Sequence, residues 1–305
     1  MIRWLGLEIN LMIIIPIILF KTDLYKTESA IKYFIVQAIA SIVVIISFLI
    51  NIILSLKILF PASDILIILS LALKAGIAPF HFWFPQIIMY LDWIICAITI
   101  TWQRAAPIFL ISLVYTKNLM YFIVFLSGFV GFLGGFNQIL IKIILAYSSI
   151  IHSAWIAILR SSSIKFIILY FCIYSILTVS VIGPCYKIAL NNLNQISANK
   201  LFLTTKLLIL FAVVSIAGLP PFMGFSAKIM TIKLSMYCYP LLIIITLIIH
   251  SLLSLYYYFK LIYNMLITYN FQPLFNKIIF NKILYNFIWF NFIFNFLVPS
   301  LIFYS

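Results

Sequence analysis

The chain has 305 residues, 66% of them hydrophobic and 8% charged, with a mean hydropathy of +1.27. A soluble domain runs at about 45–50% apolar and about 25% charged, so a water-soluble globule is excluded, and so is intrinsic disorder, which needs few apolar residues and much charge. Nineteen basic against five acidic residues give +14, but Lys and Arg punctuate apolar runs without forming a basic face. That pattern fits lipid-headgroup anchors and argues against nucleic acid.

The sequence therefore reads as an all-α polytopic membrane protein. A bilayer core needs about 20 apolar residues per helix. Candidate spans fall near 4–20, 30–52, 63–83, 93–115, 119–139, 142–159, 164–186, 201–217, 222–237 and 240–264, with an eleventh near 283–303. The runs are continuously apolar and do not alternate, which disfavours a β-barrel. Polar connections are short, so none houses a soluble catalytic domain. Residues 1–264 read as one bundle and residues 265–305 as a linker with a final span. Gly131 and Gly135 form a GxxxG pair, with Gly128 and Gly134 nearby, and predict close helix packing.

Basic residues fall on both predicted sides, so the positive-inside rule does not orient the chain. Cys96, Cys172, Cys185 and Cys238 are widely spaced, contain no CxxC pair and suggest neither a zinc site nor a disulfide framework. No cleavable leader precedes a polar mature region. Heavy use of Ile, Phe, Tyr, Asn and Lys, with arginine only at Arg3, Arg104 and Arg160, points to an AT-rich gene and synthesis inside an organelle.

The informative residues are ionisable groups inside apolar runs. Each costs about 2.5–3.5 kcal/mol or more at a helix centre, so each should face the bundle interior and have a partner or a task. Glu8 reads either as an interfacial carboxylate near the chain start or as a buried proton carrier. Lys74 is followed by Gly76 and Pro79. Proline removes a donor and clashes with the preceding turn, so the helix should break there. A break at membrane depth is tolerated only where backbone lines a cavity or is buried in protein. Lys228 follows Gly218, Pro220, Pro221 and Gly224, which predicts a second discontinuous helix; the alternative is an ordinary loop with the lysine at its rim. Arg104 precedes Pro107 and suits a fixed charge better than a proton carrier. Lys260 follows three tyrosines and reads equally as a snorkelling anchor. His81 and His152 are secondary relay candidates. Lys142 reads as an interface anchor.

The segments GLEIN around Glu8, TESAIKYF (27–34), LALKAGIAPFHFWFP (71–85), TWQRAAP (101–107), GGFNQ (134–138), LAYSSIIH (145–152) and AGLPPFMGFSAK (217–228) stand in one order. Together they resemble the antiporter-like membrane-arm subunits of respiratory complex I, in particular the subunit 2 family of mitochondrial NADH dehydrogenase. The resemblance implies inverted helical repeats with two broken helices, a place in the mitochondrial inner membrane, and proton pumping. It implies a midplane proton pathway through Glu8, Lys74, Arg104 and Lys228, with His81, His152 and Lys260 as secondary candidates. Partners would be the other membrane-arm subunits and phospholipids, cardiolipin among them.

The chain has no flavin motif, cysteine cluster or dinucleotide fingerprint. FMN and iron–sulfur clusters are therefore expected in other subunits, the resemblance implies the same for ubiquinone, and no cofactor is expected in this chain. Three departures from the family pattern stand out. Arg104 occupies the place of the usual central lysine. Ile143 replaces the second basic residue of the LRKILAYSS pattern. The chain as read begins almost at the GLEIN-like motif, so the helix that usually precedes it is expected to be absent. A free-standing cation/proton antiporter, or a structural subunit with degenerate pumping chemistry, would share much of this pattern.

Overall fold

In hydrocarbon every backbone N–H and C=O must find a partner within the protein, and a helix provides one for each interior residue. The computed structural model, which describes residues 2–20, 23–53, 60–114, 116–193, 195 and 203–266, is built almost wholly of helices. Its helices are α1 (Ile2–Ile18), α2 (Leu24–Ile53), α3 (Phe60–Ala75), α4 (Trp83–Tyr90), α5 (Trp93–Ile100), α6 (Trp102–Ile111), α7 (Lys117–Phe136), α8 (Ile141–Ile158), α9 (Ile164–Ile188), α10 (Leu203–Ala217), α11 (Met223–Ser235) and α12 (Leu241–Leu266). Among the described residues, extended pairing is confined to an isolated bridge between Leu140 and Asn192. The all-α class follows from the composition.

The span count differs from the sequence reading. Among the described residues six helical stretches are long and apolar enough to cross a bilayer: Leu24–Ile50, Trp93–Ile111, Leu119–Phe136, Ile141–Ile158, Ile164–Ile188 and Leu241–Leu266. Trp4–Ile18 and Thr205–Ala217 are shorter apolar helices. The expected 63–83 span is divided between α3 and α4, and the 222–237 span is the 13-residue α11. The 283–303 span and the 265–305 unit lie, beyond Leu266, outside the described residues.

Helix α8 is the hub. It packs against α4, α5, α6, α7, α9, α11 and α12. Its span is 83% buried, against 33–56% for the other five. Small residues allow this close approach: Ala146, Ser148, Ser149, Ser153, Ala154 and Ala157 are all buried. The hydroxyls would be costly in such a place without partners. Ser148, Ser149 and Ser153 each donate to the carbonyl three residues back.

The glycines of α7 pack as expected but not as the expected pair. A Cβ on Gly131 or Gly134 would run into Ile151 and Tyr147 of α8. One on Gly128 or Gly135 would run into His250 and Tyr257 of α12. Gly131 and Gly135 therefore serve two interfaces, because α7 is wedged between α8 and α12.

Candidate functional site

Two helix interruptions organise the interior. Helix α3 stops at Ala75 because Gly76 adopts φ +65°, a conformation a side chain resists. The Gly76 N–H then donates to Leu73 O and the Ile77 N–H to Ala72 O, a Schellman cap. Helix α10 stops in the same way. Gly218 has φ +78°, its N–H donates to Ser215 O, and the Leu219 N–H donates to Val214 O. Carbonyls near each helix end remain to be satisfied, and distant side chains do it. Gln37 Nε2 donates to Lys74 O at 3.1 Å, and Trp83 Nε1 to Leu73 O at 3.1 Å. Arg104 Nη2 approaches Gly76 O at 3.5 Å. Lys228 Nζ, on α11, reaches back to Ala217 O at 2.8 Å. A cation at a helix C-terminus also meets the negative end of the helix dipole.

The charges singled out in the sequence lie along this interior. Glu8 of α1 pairs with Lys74 of α3 at 3.5 Å. The Lys74 side chain is only 2% exposed, and the Glu8 side chain 22%. Glu8 is thus neither at open water nor sealed. Between Lys74 and Arg104 lies a cavity, lined also by Tyr33, Gln37, Thr99 and Gln103, large enough for about one water molecule. Arg104 is buried, stacks its guanidinium over Phe84 at 3.6 Å and donates to Ser149 Oγ at 2.7 Å. It has no carboxylate partner among the described residues. Lys228 is buried at the second interruption.

The secondary candidates divide. His152 sits on α8 between the Arg104 and Lys228 regions, with Nδ1 3.0 Å from the Tyr170 hydroxyl. His81 is held locally, with Nδ1 3.2 Å from Pro79 O and its ring against Phe82. Lys260 is half-buried on α12.

Several polar residues escaped the sequence reading. Asn10 and Gln103 exchange amide hydrogen bonds of 2.9 and 3.0 Å, and Tyr33 donates to Gln103 Oε1 at 3.0 Å. These bonds tie α1, which carries Glu8, to α6, which carries Arg104. Lys26, one of the basic residues that punctuate the apolar runs, is buried and pairs with Asp92 at 3.0 Å and Asp23 at 3.3 Å. Lys142, expected at an interface, donates to Leu91 O at 2.7 Å and lies 5.2 Å from the Trp93 ring centroid. The two lysines pin α2 and α8 to the α4–α5 joint. Nearby signals existed: Asn10 lies within GLEIN, and Gln103 precedes Arg104.

One packing contact controls where Lys228 sits. A Cβ on Gly224 would run into the Ser215 carbonyl oxygen, and backbone cannot rotate away as a side chain can. Gly224→Ala should force α11 off α10 and weaken the Lys228–Ala217 bond, at about 1–3 kcal/mol for the overpacking. The expected result is lower thermal stability of the assembled protein, measured by the temperature at which native-gel mobility is lost.

A family model described as NADH:quinone oxidoreductase/Mrp antiporter, TM, matches residues 1–254. The chain belongs to this family. NADH-ubiquinone oxidoreductase chain 2 of Anopheles gambiae is 38% identical over 269 residues, covering 86% of this chain and 78% of that one. Among solved structures, a chain of respiratory complex I from Thermus thermophilus superposes with a TM-score of 0.76 at 22% identity, over 86% of this chain and 64% of that one. A chain of the Mrp complex from Dietzia sp. DQ12-45-1b gives 0.77 at 17% identity, over 85% of this chain and 55% of that one. These two likenesses establish a common fold.

Proposed function

We propose that this chain is a proton-translocating membrane subunit of respiratory complex I, the NADH:ubiquinone oxidoreductase, working beside the other membrane-arm subunits. The observation that carries the pathway is the placement of Glu8, Lys74, Arg104 and Lys228 along one buried interior beside two helix interruptions. Apolar surroundings make unpaired charge expensive, so moving a partner moves a proton. Glu8 holds the charge of Lys74. A conformational signal from quinone reduction elsewhere separates the pair, withdraws the counter-charge and drives the Lys74 proton onward. The small cavity beside Lys74 offers a place for a relaying water. Arg104 supplies a fixed positive charge, and Lys228 receives and releases the proton at the far interruption.

NADH oxidation and electron transfer then belong to subunits that carry FMN, iron–sulfur clusters and ubiquinone. The membrane is the mitochondrial inner membrane, and basic helix ends contact anionic lipid, cardiolipin included.

Glu8→Gln tests the pairing step. In the assembled complex, reconstituted in vesicles, the ratio of protons moved to electrons passed should fall. A full ratio would remove Glu8 from the mechanism. Isolation decides between a complex subunit and a free-standing antiporter: the chain should purify only within an assembly that oxidises NADH, and a lone active chain would refute this reading.

A further inference from the structure

A pathway that uses Arg104 as a fixed charge needs another carrier between Lys74 and Lys228. An arginine at this place does not release its proton. The structure holds neutral groups that could do so, on the wall formed by α8 and α9. Ser149 and His152 lie three residues apart on α8, on one face. Tyr170 and Tyr174 lie four apart on α9 and meet that face. All four are buried.

Their contacts run in order. Ser149 Oγ accepts from Arg104 Nη1 at 2.7 Å. The Tyr174 hydroxyl is buried without a hydrogen-bond partner, with Arg104 and Ser149 among the polar groups around it. The Tyr174 ring lies 4.7 Å from the His152 ring, and Tyr170 and Tyr174 stand one helical turn apart on α9. His152 Nδ1 is 3.0 Å from Tyr170 Oη. The imidazole also lies near the Ile216 backbone and the Lys228 charge. Ile216 adjoins Ala217, whose carbonyl oxygen holds the Lys228 ammonium at 2.8 Å. Polar groups therefore extend from one side of Arg104 to Lys228.

We propose that the Tyr174 and Tyr170 hydroxyls, acting through His152, carry the proton past Arg104 to Lys228. The inference rests on the proton-pathway reading above. Tyr170 gives its phenolic proton to His152 Nδ1 as His152 Nε2 gives one to the neutral amine of Lys228. Tyr174 reprotonates Tyr170, and a proton arriving by way of the Ser149 hydroxyl reprotonates Tyr174. One proton enters at Ser149 and one ends on Lys228. The guanidinium offsets the transient negative charge on the phenol oxygens and stays protonated throughout. His152 resets by exchanging its tautomer.

The test compares Tyr174→Phe, Tyr170→Phe and Lys228→Met, each in the assembled complex in vesicles, by protons moved per electron. Phenylalanine keeps the ring and removes only the hydroxyl, so packing is retained. Either tyrosine variant should lower the ratio as far as Lys228→Met does. Adding Arg104→Lys to Tyr174→Phe should restore pumping, because a lysine at that place can release its own proton. If the tyrosine variants pump fully while Lys228→Met does not, the relay is wrong and the pathway stands. If all three pump fully, the pathway itself is wrong and the relay falls with it. A loss in Tyr174→Phe that Arg104→Lys leaves unrepaired would show that the hydroxyl does not stand in for a titratable group at position 104 and would overturn the inference.

Discussion

Complexes carrying Lys228→Met should assemble and oxidise NADH, yet pass protons through this chain about 10²-fold more slowly, the usual contribution of a positioned proton-transfer group. Methionine matches the lysine stem in length and removes a buried charge, so the fold keeps its packing. The Ala217 carbonyl oxygen loses its donor, which costs about 1–3 kcal/mol where no water replaces it. That cost is offset in part because the buried ammonium no longer has to be accommodated. The measurement is proton uptake by vesicles against the rate of NADH oxidation. An unchanged ratio would place the proton route elsewhere in the complex.

Lys74→Met should give a comparable loss of pumping, and the Glu8–Lys74 pair should be asymmetric in stability. The Glu8 side chain keeps 22% exposure and can be partly hydrated once its partner is gone, while the Lys74 side chain, at 2%, cannot. Removing one partner of a buried pair typically costs about 3–5 kcal/mol because the other charge is left uncompensated. Glu8→Gln leaves the worse-placed charge alone and should therefore destabilise the assembly more than Lys74→Met does. The double variant should be more stable than Glu8→Gln by itself. Thermal melting of the three assemblies measures this directly, and equal losses in the two single variants would contradict the unequal burial.

The charged part of the candidate site was legible in the sequence because a charge in an apolar run is expensive wherever the run folds. Glu8, Lys74, Arg104 and Lys228 all announce themselves in that way. The helix stops were legible too, since Gly76 and Gly218 stand just before prolines and can take the positive φ that the caps need. The neutral polar groups were not. Ser149, Tyr170 and Tyr174 are ordinary residues in a chain with 18 tyrosines, and only their neighbours give them meaning. The partners of Lys26 and Lys142 were hidden for a related reason. Each stands at the end of an apolar run, where a snorkelling anchor is the usual outcome. The α4–α5 joint, which supplies Asp92 and the Leu91 carbonyl, comes from a distant part of the chain.

The sequence by itself determined a helical membrane bundle, the places where two helices stop, and the charges that must be housed inside it. Each of these follows from local rules: the length of an apolar run, the dihedral freedom of glycine, and the cost of charge in oil. Only the tertiary structure decided which faces meet. These helices are apolar nearly all round, so periodicity offers little contrast between the side that faces lipid and the side that faces protein. Small residues and polar bonds set the rotation of each helix instead. That rotation puts Ser149 under Arg104, sets Tyr170 beside His152, and divides the α7 glycines between two neighbours.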